Sequence, residues 1–271
     1  MPPRGLRPSG LVLVDKPPGP SSFAIVRELR DRTGARAGHA GTLDPFASGL
    51  LLVLLGSATR LARYLVGLDK RYETEVELHA RTATGDPEGE VVEERDPPEL
   101  SDLEARIAAL RGEIELPVPA ASAVKVGGER AYRLVRRGVA VEMPLRRSTV
   151  HALELLAYEG GIARLTAHVS SGTYVRALAE ALGGHCRTLR RTTVGPFLVD
   201  DADPERILPA ADALPFLPAL EVGREEAAVL RAGRALRRDA NGLVRVISAD
   251  GLVAVARADD GLLRPETVLP A

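Results

Sequence analysis

The chain has 271 residues, 45% of them hydrophobic, and 36 Lys and Arg stand against 37 Asp and Glu for a formal net charge of -1. That length and apolar content suffice for one large domain plus a small one, while the near-neutral balance excludes a global positive field, so any RNA binding has to come from local patches. A single cysteine, Cys186, excludes an internal disulfide, and five histidines without Cys/His pairing or a His-Glu-x-x-His spacing lead to the expectation of a metal-free, cytosolic protein.

The chain opens on MPPRGLRPSG, which lacks the apolar core of a signal peptide. A short strand is expected over Leu11 to Val14, then a Pro/Gly turn, then a helix opening at Ser21 or Ser22 with Phe23, Val26 and Leu29 on one face and Gly34 at its end. After a glycine-punctuated loop, Gly38 to Gly49, the apolar run Leu50 to Leu55 reads as a strand buried on both faces. The uncharged stretch around it, Pro45 to Thr59, is too short to cross a bilayer, which takes about 20 apolar residues. A helix capped by Ser57 with Leu61 and Leu65 inward is expected next. From Arg71 to Ala80 the residues alternate, with Tyr72, Thr74, Val76 and Leu78 on one side and Glu73, Glu75 and Glu77 on the other, the pattern of a half-buried strand.

Thr84 to Pro98 is acidic and turn-rich and reads as a surface loop leading into a capping box, Ser101-x-x-Glu104, with Leu103, Ile107 and Leu110 inward on the helix that follows. Between Lys125 and Arg147 seven basic residues (Lys125, Arg130, Arg133, Arg136, Arg137, Arg146, Arg147) face two acidic ones, Glu129 and Glu142. Strands are expected over Val150 to Leu156 and Ile162 to Val169, and a helix over Thr173 to Leu182. This irregular alternation points to mixed α and β elements around one sheet. Leu208 to Leu220, rich in Pro, Ala and Leu, reads as a link into a small β domain with short strands at Val244 to Ile247 and Leu252 to Ala256.

Asp44, in the loop Gly38-His39-Ala40-Gly41-Thr42-Leu43-Asp44-Pro45-Phe46-Ala47-Ser48-Gly49, is the candidate reactive residue, because a loop between a helix and a buried strand can present one side chain from a rigid scaffold. An Asp before Pro is ordinarily a turn former, and the loop is no phosphate cradle, since it lacks GxGxxG and a Lys-Ser/Thr ending. The segment GHAGTLDPFASG resembles the catalytic loop of the TruB family of pseudouridine synthases, and four further segments agree with that family in order: LVLVDKPPGPSS, DKRYETEVELHA, SAVKVGGERAYRLVRRG, and SSGTYVRALAEALG followed by LRRTTVG. They span roughly residues 10 to 195. The tail, with VLRAGRALRR and short strands, resembles the family's small C-terminal PUA-type RNA-binding domain.

The resemblance implies a mixed, largely antiparallel sheet flanked by helices over residues 1–218, with an RNA-binding insertion at about 117–148, and a PUA-like domain over 219–271. It implies isomerisation of the uridine at position 55, in the T-loop of tRNA, with no cofactor. Asp44 falls on the essential aspartate; an ordinary Asp, with pKa about 3.9, is ionised at neutral pH and has three routes open to it, attack at the sugar C1', attack at C6 of the base, or removal of the C2' proton. Arg176 matches the arginine that pairs with this aspartate and is expected to keep it ionised and aimed. Tyr72 matches the active-site tyrosine that stacks on the target base and is expected to transfer a proton late in the reaction. Tyr174 and Leu189 fall on positions lining the base pocket, His39 on a histidine that helps to unstack the T-loop, and Lys16, in the DKP motif, is grouped with the substrate-binding residues as support near the loop. Lys125 and Arg130 belong to the insertion, a flap over the T-loop, where Ala121 replaces a usual aromatic and Leu116 a common Gln. Arg187, Arg190 and Arg191, with Arg231, Arg234, Arg237 and Arg238, are expected to continue a basic track along the RNA. A stand-alone form working without guide RNA is expected from the lack of a long Lys-rich tail or N-terminal extension; a monomer is the default expectation, and no membrane partner is expected. The competing readings are a non-catalytic tRNA-binding or RNA-folding protein of the same fold, disfavoured because Asp44, Tyr72 and Arg176 are all present, and a glycosidase that would release free uracil.

Overall fold

A computed structural model describes residues 8–122, 124–131, 134, 137, 139 and 141–270. Residues 1–7 of the opening segment, and Arg133 and Arg136 of the basic stretch, lie outside the described residues.

Strand β1 (Gly10–Lys16) leads into α1 (Ser22–Thr33), followed by β2 (Ala37–His39), β3 (Ser48–Leu55), α2 (Ala62–Val66), β4 (Lys70–Glu77), β5 (Ala80–Thr82), β6 (Val91–Glu94) and α3 (Leu100–Ala109). Then come β7 (Gly112–Pro117), β8 (Lys125–Val126), β9 (Glu129–Arg130), β10 (Leu145–Glu159), β11 (Ile162–Val169), α4 (Val175–Leu182), β12 (His185–Val194), β13 (Phe197–Leu198) and β14 (Asp203–Leu208). The C-terminal segment holds β15 (Ala219–Glu221), α5 (Arg224–Arg231), β16 (Leu236–Arg237), β17 (Gly242–Ser248), β18 (Gly251–Asp259) and β19 (Leu262–Val268).

The large sheet runs β14-β1-β3-β12-β4-β11-β10-β7, with β2 beside β3 and β13 beside β12. All its pairings are antiparallel except β12 with β3, which touch in parallel at Arg190↔Ser48 and Arg191↔Gly49. The run Leu50 to Leu55 forms the inner strand expected of it, because both faces of the sheet are covered. Leu51, Val53 and Leu55 join a core with α1, α3 and α4, whereas Leu50, Leu52 and Leu54 join a second core on the opposite face with Leu61, Leu65, Leu252 and Val255. A five-stranded sheet, β15-β17-β18-β19-β16, closes a third core with Ala227 and Leu230 of α5. The C-terminal sheet thus both packs on the large one and keeps a core of its own.

Several local expectations shift. Ser21 does cap α1, accepting from Ala24 N, and Gly34 ends it at φ 65, but Phe23 points outward, 63% exposed, and Ile25 takes the inward position with Val26 and Leu29. Ser57 caps no helix: residues 56–61 form a 3-10 turn starting from Leu55, and the Ser57 hydroxyl meets that of Ser9. Leu61 and Leu65 are buried as expected. Ser101 and Glu104 form no capping box, because the extended residue at the helix entry is Glu99, which places Ser101 inside the first turn. The Thr84 to Pro98 segment is not simply a surface loop, since its second half pairs back as β6 on β5 and its first half buries Asp86. Strand β10 is longer than the Val150 to Leu156 run and carries two bulges.

Candidate active site

Asp44 lies in the loop joining β2 to β3, and four fixed points hold that loop. The Ser22 hydroxyl, buried at the start of α1, donates to Leu43 O at 2.9 Å and accepts from Leu43 N at 2.8 Å. Lys16 Nζ donates to the carbonyls of Pro17 (2.9 Å), Pro20 (2.9 Å) and Pro45 (3.2 Å). Gly19 N donates to Pro45 O at 2.8 Å. Arg191 Nε donates to Leu50 O at 2.7 Å, and its two other nitrogens donate to Thr42 O (3.3 Å) and Gly41 O (3.1 Å). Gly49 is needed where the loop rejoins the sheet: at φ 102 it lies so close to Arg191 that an added Cβ would meet that residue's carbonyl oxygen at 2.2 Å.

Arg176, on the first turn of α4 and only 2% exposed, organises the centre. Its Nε donates to Asp44 Oδ2 at 3.0 Å, Nη1 to Asp86 Oδ2 at 3.2 Å and to Thr84 O at 2.7 Å, and Nη2 to Ala121 O at 3.0 Å. A buried guanidinium of this kind is tolerated because its donors are met and its charge is shared by two carboxylates. Asp86 is held in turn by Thr84 Oγ1 at 2.6 Å and Glu88 N at 3.1 Å. Asp86 was not singled out in the sequence; the Thr82-x-Thr84-Gly85-Asp86 cluster, which makes a side-chain-closed turn, is the signal that marks it.

The Asp44 side chain keeps about a third of its surface, and among the described residues its Oδ1 accepts no hydrogen bond. Burial pushes its pKa above the ordinary carboxylate value; Arg176 and Lys16 offset that in part, and Asp86 adds to it. Arg176 acts on Asp44 in the expected sense, favouring the charged form by charge and by hydrogen bond, and burial is the larger, opposing influence.

Tyr72, nearly buried on β4, and Leu189 of β12 lie in the same apolar cluster as Leu43 and Val175, the chain neighbours of Asp44 and Arg176. Tyr174 sits just before α4 and lines a shallow cleft with Leu116, Arg146 and Ala177. His39 ends β2; its Nδ1 is buried and has no hydrogen-bond partner among the described residues, and burial, reinforced by Arg191, lowers its pKa. Lys16, with no exposed surface, spends its ammonium on the carbonyls around the loop, and its own pKa is lowered by burial against the pull of Asp44. Lys125 and Arg130 are exposed register partners in the β8–β9 hairpin. No contact among the described residues brings that pair to Asp44, although Ala121 ties the start of the same segment to Arg176 through its backbone, a contact that the missing aromatic does not affect. Of the expected basic track, Arg187 is exposed, Arg190 is paired with Asp15 (3.0 and 2.7 Å), and Arg191 is buried under the loop, so the last is a support and not an RNA contact.

The profile of the TruB family pseudouridylate synthase (N terminal domain) matches residues 28–175, more than half of the chain. A protein of Aromatoleum aromaticum named tRNA pseudouridine synthase B is 39% identical over 96% of this chain and 92% of its own length, and one of the same name from Leifsonia xyli is 46% identical over 80% of this chain and 76% of its own. Among solved structures, a chain of a Cbf5-Nop10-Gar1 complex superposes with a TM-score of 0.72 at 26% identity, covering 96% of this chain and 85% of that one.

Proposed function

Because the chain belongs to the TruB family of pseudouridylate synthases, we propose that it isomerises the T-loop uridine of tRNA, position 55, to pseudouridine, with Asp44 as the essential carboxylate. The observation that carries this reading is the Asp44–Arg176–Asp86 array: a carboxylate with one oxygen held at 3.0 Å by a buried guanidinium and the other left to meet a substrate. In the reaction the C1'–N1 bond breaks, the uracil turns, a C1'–C5 bond forms, and the C5 proton leaves while N1 gains one, so no redox partner, hydrolytic water or cofactor is consumed. Asp44 acts either as nucleophile, at C1' or C6, or as the base that takes the C2' proton.

The uridine has to leave the RNA stack to reach Asp44, at a cost of a few kcal/mol. Tyr72 supplies the ring on which the flipped base stacks, with Leu189 and Tyr174 completing the apolar wall, and His39 stands beside the loop where the displaced stack is opened. Lys125, Arg130 and the rest of the 117–148 insertion contact the T-arm phosphates, and residues 219–271 act as a PUA-like RNA-binding domain beside the 1–218 catalytic domain. We read the enzyme as a cytoplasmic monomer acting without guide RNA. Among the described residues no helix is long and apolar enough to cross a membrane.

The test is incubation of wild type and Asp44→Ala with an unmodified tRNA transcript, followed by carbodiimide labelling and primer extension. A single stop in the T-loop with wild type and none with the variant is the expected result. Binding of tRNA with no stop from wild type would favour a non-catalytic RNA-folding protein, and release of free uracil a glycosidase.

A further inference from the structure

On the face of the large sheet opposite Tyr72, Asp69, His151 and His168 converge from three separate segments. Asp69 ends the turn before β4, and its carbonyl accepts from Gly195 N at 2.8 Å, which fixes that turn. His168 on β11 is the register partner of Arg71, while its neighbour Ala167 is the partner of Tyr72. Successive strand residues face opposite sides, so His168 turns away from the apolar core that Tyr72 and Ala167 join. His151 falls at a bulge: Val150 pairs with Val169 and Ala152 with His168, leaving His151 as the extra residue. A bulge re-aims a side chain, and here it brings the two imidazole rings to a centroid distance of 4.7 Å, tilted by 45°.

Both rings direct Nε2 at one oxygen: His151 Nε2 lies 3.2 Å and His168 Nε2 3.8 Å from Asp69 Oδ2. The three atoms all lie within 4.8 Å of one another. Donors that share a zinc-like ion, each about 2.1 Å from it, stand about 3 to 4 Å apart, so small rotations of the side chains suffice to close the site. The side chains keep between 26% and 46% of their surface, which leaves the site open to an ion from solvent. Two imidazoles and one carboxylate form a borderline donor set suited to zinc, cobalt or nickel; calcium and magnesium prefer oxygen throughout. Arg71, beside His168, is the cation that opposes such an ion, and the Asp69 carboxylate offsets it.

We propose that Asp69, His151 and His168 bind one divalent transition-metal ion of the zinc class, clamping the entry of β4 to the β10–β11 pair and leaving a fourth position to water. This site differs from the metal-free expectation because the ligands meet across a bulged strand pair and carry no helical His spacing. It is separate from the Asp44 chemistry, and its test does not depend on that activity.

The untagged, metal-free full chain is titrated with Zn²⁺ by calorimetry and with Co²⁺ by visible spectroscopy. One ion per chain and a Co²⁺ d–d band are expected, with binding weakened by about tenfold or more in His151→Ala and in His168→Ala. Circular dichroism without metal separates a lost site from a lost fold; should an alanine variant unfold, His151→Gln and His168→Gln carry the same expectation. Wild type that binds neither ion, or folded variants that bind both ions as wild type does, would overturn the assignment.

Discussion

Arg176 meets Asp44 through Nε, at 3.0 Å, and not through the forked end of the guanidinium. The fork is spent on Asp86, Thr84 O and Ala121 O. One arginine therefore ties together the Asp44 loop, the turn before β6 and the start of the basic segment.

Lysine cannot reproduce that arrangement, since it is a point charge without a planar fork. Arg176→Lys is expected to lose at least about 100-fold in kcat/KM while still binding tRNA. Arg176→Ala, which leaves two carboxylates facing each other without a cation, is expected to cost about 3–5 kcal/mol of stability in a denaturant melt.

Asp86→Asn keeps the shape of its turn and removes one charge. The remaining carboxylate then takes a larger share of Arg176, so the acidic limb of the kcat/KM profile is expected to move to lower pH than in wild type, because Asp86 is one of the groups that raises the Asp44 pKa. An unmoved limb would mean that the limb reports a group other than Asp44.

Asp44 also predicts how stability follows pH. Its folded pKa lies above the ordinary value, so the fold binds this proton more tightly than the unfolded chain does. The associated stability is fully present below the unfolded pKa and is lost as pH rises through the folded pKa. Denaturant melts of wild type and Asp44→Asn over that window are expected to show wild type losing ground to the variant as pH rises; a constant difference would contradict the shift.

Arg191→Met removes three donors that hold Gly41, Thr42 and Leu50. Leaving those carbonyls without partners is expected to cost about 1–3 kcal/mol, and turnover should fall more than tRNA affinity, because the loop that loosens is the one that carries Asp44. Gly49→Ala, which forces a side chain onto a φ of 102 against the same arginine, is expected to destabilise by more than about 1 kcal/mol in a thermal melt.

The strands were legible wherever one rule governed them. Leu50 to Leu55 could hardly be anything but an inner strand, and the alternation from Tyr72 to Glu77 gave its own two faces. Asp44 and Arg176 were found through their motifs. Asp86 was hidden because acidic, turn-rich sequence ordinarily lies at the surface, and only the chain's return as β6 buries it. Arg191 misled for the complementary reason: charge next to Arg190 looks like a solvated patch, while the strand's alternation sends one arginine outward to Asp15 and the next inward under the loop. Phe23 looked like core by its apolarity, yet the helix phase set by the Ser21 cap turns Ile25 inward in its place. The Asp69, His151 and His168 cluster was invisible because a bulge creates it, and periodicity does not announce bulges.

The parallel contact between β12 and β3 joins residues that are more than 140 positions apart in the chain. A ribosome delivers residue 48 long before residue 191, so during synthesis the loop carrying Asp44 waits without its Arg191 brace and, until α4 arrives, without Arg176. Contacts of such separation carry a large loop-closure cost, so a truncated chain ending before β12 is expected to leave the Asp44 loop without its Arg191 brace.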